Sequence, residues 1–130
     1  MKRLLKTGLL ISIAFVSLLM GLDIPTYYKL DIKAMEITLE GSKERLSCLK
    51  NDCPLIKQYA IDDRVQQSIN DLYLNFGTTP SKHIGYYTQN SVDARAYYDN
   101  NETLQEIYRT LQDKIEDVNS QIKTIMEEGK

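Results

Sequence analysis

Apolar residues near the C-terminus recur in alternating steps of four and three: Leu104, Tyr108, Leu111, Ile115, Val118, Ile122 and Ile125. A period averaging 3.5 residues places them on one stripe of an α-helix, with Tyr108, Ile115 and Ile122 in a register and Leu104, Leu111, Val118 and Ile125 in d. Arg109, Asp113, Glu116, Asp117, Ser120, Lys123 and Glu127 fall on the outer face. The spacing predicts a long amphipathic helix over 104–125 with a seam that the rest of the chain, a second copy or another protein must cover.

Upstream, Ile61, Val65, Ile69, Leu72 and Phe76 step by four, four, three and four, and Gly77 stands where a left-handed residue ends a helix. This stripe is about as long as the seam, so the expected arrangement is a closed bundle with Leu111, Ile115, Val118 and Ile122 packed on the 61–76 helix. Before it, Tyr27, Leu30, Ala34 and Ile37 recur every three or four residues and predict a helix that stops at Gly41. Ser42 then caps another helix carrying Leu46 and Leu49, which ends at Asn51-Asp52. Glu36 to Glu40 also alternates like a strand, a competing local signal. Thr78 to Asn90 reads as irregular, with Thr-Thr-Pro-Ser, Gly85 and Gln-Asn as breakers. Asn90-Ser-Val-Asp93 and Asp99-Asn-Asn-Glu102 each resemble a capping box, predicting either a short helix before the last one or one long helix through both.

The pattern differs in kind at the start. Gly8 to Leu22 carries no charge. With Lys6 snorkelling, residues 4–22 reach about 28 Å, enough to cross a hydrocarbon core of about 30 Å with slight thinning. A cleaved secretory signal shares these features, but small residues at −3 and −1 coincide only at Ser12 and Ala14, where cutting leaves too short an apolar region. An uncleaved signal anchor fits better. Lys2, Arg3 and Lys6 before the run, and Asp23 after it, orient the N-terminus toward the cytoplasm. The expected fold class is all-α, a transmembrane signal anchor in residues 1–23 followed by a small helical bundle in 24–130 with a long heptad-patterned C-terminal helix. The expected location is the inner (plasma) membrane, single-pass, with the domain periplasmic or otherwise extracytoplasmic.

Charged residues form 26% of the chain and hydrophobic ones 42%, a globular balance. The net charge of −2 becomes −5 once the three cations of the n-region are set aside. An acidic domain with scattered basic residues does not suit nucleic acid. Cys48 and Cys53 flank the turn signal at Asn51-Asp52, and outside the cytoplasm a disulfide is expected to lock that corner, contributing about 2 kcal/mol. The alternative of a metal site lacks ligands, since Cys-x4-Cys and the single histidine, His83, leave a tetrahedral zinc site incomplete. No metal or cofactor is expected.

Asp62 and Asp63 are adjacent, but neighbours on a helix point about 100° apart and do not converge on one atom. With no phosphate loop and no triad-like spacing, the sequence predicts a binding protein rather than an enzyme. Three tyrosine pairs, Tyr27-Tyr28, Tyr86-Tyr87 and Tyr97-Tyr98, each allow one ring to be buried while its neighbour faces outward. The expected function is to bind and regulate or assemble a protein partner in the envelope, or to self-associate, through the seam. The alternative is a cell-wall glycan or small-ligand site in the tyrosine-rich loop, formed by Tyr86, Tyr87 and His83, although His83 beside Lys82 is otherwise expected at the surface. In layout, an anchor before a small helical domain with a tight cysteine pair, the chain is similar to phage lysis regulators and inner-membrane spanin subunits. That resemblance is one of arrangement only, covers no motif residue by residue and transfers no site residue.

Overall fold

The computed structural model describes residues 22–129, which form five helices and no strand: α1 (Ile24–Lys50), α2 (Leu55–Asn75), α3 (Pro80–Gln89), α4 (Ser91–Asp99) and α5 (Glu102–Glu128). The expected span over residues 4–22 lies, up to residue 21, outside the described residues. Among the described residues no helix is long and apolar enough to cross a membrane.

α1 is one helix where two were expected. Asp23 caps it, its carboxylate accepting from the Thr26 amide at 2.8 Å, and Pro25 sits in the first turn, where its missing N–H costs nothing. The helix passes through Gly41 because that glycine serves contact rather than termination: a Cβ there would collide with Val65 Cγ2 of α2. The strand-like alternation at 36–40 is part of the same helix. At its end Asn51 closes the last turn and Asp52 takes φ 52°. Cys53 donates back to the Cys48 carbonyl at 3.0 Å, which brings the two cysteines to disulfide distance with Cα atoms 5.1 Å apart, at the corner the sequence marks.

α2 returns antiparallel to α1. Gly77 ends it with φ 72°, donating to the Leu74 carbonyl, as a C′ glycine should. The segment expected to be irregular is helical, because Thr79-Pro80 is a cap followed by an N1 proline, with Thr79 Oγ1 accepting from the Lys82 amide at 3.2 Å. Gly85 has open space where a side chain would stand and interrupts nothing. A short α4 does precede the last helix. The caps differ from expectation: the Asn90 side chain donates to the Tyr86 carbonyl and ends α3, whereas Asn101, not Asp99, caps α5.

α5 then lies parallel to α1 and covers it. Leu104 and Tyr108 cluster with Tyr28 and Ala94 at the start of both helices, while Leu111, Val118 and Ile122 cluster with Leu39 and Leu46 toward their ends. The covering helix is therefore α1 and not the 61–76 helix. The reason is a second heptad stripe on α1 itself: Tyr28, Ile32, Met35, Leu39, Ser42, Leu46 and Leu49 repeat the same alternating steps at a constant offset from the seam.

Candidate functional site

The C-terminal seam is not an open surface. Leu104, Tyr108, Leu111, Val118 and Ile122 are buried, and Ile115 and Ile125 are half-buried against the same cluster. Two other regions, roughly 40 Å apart along α1 at 1.5 Å per residue, carry the remaining distinctive chemistry.

The first region is an aromatic base around the start of α1. Tyr27 stacks on His83 with ring centroids 4.1 Å apart and lies within 6 Å of Tyr86 and Tyr87. Tyr28 stacks on Tyr97 at 5.6 Å and meets Tyr108 edge-on. Eight of the nine tyrosines belong to this network, so the three pairs separated in sequence converge on one end of the molecule. Its hydroxyls fasten elements together. Tyr28 donates to the Ala94 carbonyl at 2.5 Å, tying α1 to α4, and Tyr108 donates to Asp31 at 2.5 Å, tying α5 to α1. Burial first, then the Asp31 charge, pushes the Tyr27 hydroxyl well above the ordinary phenol range. Tyr108 is pushed up further by burial, by its hydrogen bond to Asp31 and by that residue's charge.

His83 is buried, not exposed beside Lys82. Its Nε2 lies 3.0 Å from the Tyr27 carbonyl, and because a carbonyl only accepts, Nε2 carries the proton in this contact. Of the three residues expected for a ligand site, His83 and Tyr86 pack their rings against Tyr27, and Tyr87, which also approaches Tyr27, is the most exposed of the three at 37%. The structure brings the three together, as parts of the base. Large apolar residues stand outward on the same two short helices: Ile84 is 67% exposed and Val92 81%.

The second region is the disulfide corner. Leu55, Ile56 and Tyr59, on the first turns of α2 beyond Pro54, are all more than half exposed, and Tyr59 stands one turn above the adjacent Leu55 and Ile56, four and three residues on. Sequence reasoning passed over them, although the signal was present. Ile56 and Tyr59 share a helical face with Asp63, Gln66 and Gln67, so these apolar side chains occupy the solvent register of α2. The Cys48–Cys53 link holds the turn from which they project.

Between α1 and α2 runs an open groove of about 420 Å³, floored by Ile37, Gly41 and Val65 and edged by Glu40, Glu44 and Arg64. Glu44 and Arg64 are paired across it. Asp62 pairs with Arg45 at 3.8 Å rather than with Asp63. Among the described residues, no group of three or more His, Cys, Asp and Glu side chains is placed to hold a metal ion. Comparison of the chain with protein-family models, with curated proteins and with solved structures finds no match.

Proposed function

We propose that this chain is a membrane-anchored, extracytoplasmic helical protein that binds a protein partner of the cell envelope, regulating or assembling it through the corner farthest from its anchor. The observation that carries this reading is the exposed trio Leu55, Ile56 and Tyr59 at the corner, with Ile56 and Tyr59 on the same helical face as Asp63, Gln66 and Gln67. Apolar and aromatic side chains on a held corner suit a small protein interface, where a few anchors supply most of the affinity. The seam is occupied by α1, so partner binding moves from the C-terminal helix to this corner. The glycan or small-ligand alternative has weaker support, because Tyr86 and His83 are packed against Tyr27 instead of presenting open ring faces.

A photoreactive amino acid at position 56 of the full chain, in its native membrane, tests the reading against the same group at Ser120 on the outer face of α5. A discrete adduct from position 56 alone, lost in the Tyr59→Ser background, is the expected outcome. Equal adducts from both positions, or none from 56, overturn the corner as the binding surface. Protease added from the extracytoplasmic side should remove α1 to α5, and complete protection would reject the topology.

A further inference from the structure

The exposed apolar residues of the base remain without a role. They lie where the chain enters the folded domain: Asp23 caps α1, and the Tyr27 ring, four residues on, stacks directly on His83 of α3. Ile84 and Tyr87 are three residues apart on one face of α3, and Val92 follows in the first turn of α4. α3 contains Lys82 and no carboxylate. The uncharged run of the N-terminal sequence ends at Leu22, immediately before Asp23 and the start of α1. A short helix with an apolar face, tyrosine rings and a lysine that can snorkel has the chemistry of an element lying in the headgroup layer. Tethering beside a span would give it a high effective concentration at the bilayer, so weak intrinsic affinity suffices.

We propose that α3 and the first turn of α4 lie in the phospholipid headgroup layer, with Ile84, Tyr87 and Val92 inserted, so that the aromatic base seats the domain on the membrane and directs the disulfide corner away from it. This rests on the membrane-anchored reading above. The chain has no tryptophan, so single tryptophans report position without background. Phe15→Trp, Ile84→Trp and Ile56→Trp are made in the full chain and reconstituted into phosphatidylcholine and phosphatidylglycerol vesicles containing lipids brominated at successive depths. Ile84→Trp should lose emission most to bromines nearest the headgroups, Phe15→Trp to deeper ones, and Ile56→Trp to none. Tyr87→Trp carries the same test if circular dichroism shows that Ile84→Trp is misfolded. Quenching of Phe15→Trp without Ile84→Trp or Tyr87→Trp overturns the headgroup seat and leaves the anchor standing. No quenching of Phe15→Trp overturns both, and equal quenching at positions 84 and 56 overturns the proposed orientation.

Discussion

α1 is flanked by two helices that each carry an apolar stripe in sequence and are unequally buried in the fold. α5 places five side chains of its seam in buried positions, whereas α2 buries only Tyr73 and leaves Val65, Ile69 and Leu72 half-covered. The difference lies in the facing surface. Toward α5, α1 presents a heptad stripe of its own, so large side chains meet large side chains in register. Toward α2 it presents Gly41, Glu44 and Arg45, and the contact is held by a close backbone approach, two ion pairs and the disulfide corner. Arg45 Nε is buried there without a hydrogen-bond partner among the described residues. Periodicity shows that a helix has a face to bury; the depth of burial is set by the surface it meets.

The largest expected effect falls on the α5 side. Leu111→Ala should lower unfolding stability by about 2 to 5 kcal/mol, the range for a buried leucine, while Leu72→Ala on the α2 side should cost about half as much because its area is already partly wet. Urea titration of the full chain in detergent measures both, and equal losses would break the contrast. Cys48→Ser comes next, with about 2 kcal/mol lost from the short closed loop. Hydrogen exchange should show the loss in the start of α2 and the end of α1, with the α5 seam keeping its protection.

Gly41 gives a smaller and sharper test. In the native background Gly41→Ala should destabilise by about 1 to 2 kcal/mol through its clash with Val65. In a Val65→Ala background the same change should stabilise by up to about 1 kcal/mol, since alanine is then simply the better helix former. A helix-ending role for Gly41 would give no such reversal of sign.

The smallest effect concerns the tyrosine fastenings. Tyr27, Tyr28, Tyr73, Tyr86 and Tyr108 are all raised above the ordinary phenol value, chiefly by burial. The unfolded chain therefore releases these protons first, near pH 10, while the folded one retains them. Stability should be fully present below about pH 10 and fall as pH rises further. Tyr108→Phe should cost about 1 kcal/mol at neutral pH by removing the bond to Asp31 and should flatten the alkaline decline. Urea midpoints across that pH range measure both changes.

Much of the architecture was legible because it is local. The cysteine corner followed from turn residues between two nearby thiols, and the end of α2 from Gly77. The apolar corner was legible too, as Ile56 and Tyr59 in a polar register. α3 is ambiguous in sequence because Thr79-Pro80 has the composition of a break, whereas threonine followed by proline also begins a helix. The division of α1 at Gly41 failed because a glycine's chain-breaking tendency is local, whereas the Val65 side chain that requires it belongs to another helix.

The sequence by itself determined the helical class, the tight cysteine corner and the 3.5-residue period of the seam, since each depends on residues within a turn or a few turns of one another. Only the tertiary structure decided that α5 covers α1 and that eight tyrosines and His83 meet at one end. The α1 stripe can be read once its register is sought, but a stripe carries no label for its partner. Pairing is selected where the return through α2, α3 and α4 sets the start of α5 beside the start of α1, and the hydrogen bonds from Tyr28 to Ala94 and from Tyr108 to Asp31 hold that level. Such matching of height and face across the chain is a property of connection lengths and packed surfaces together, which no local pattern contains.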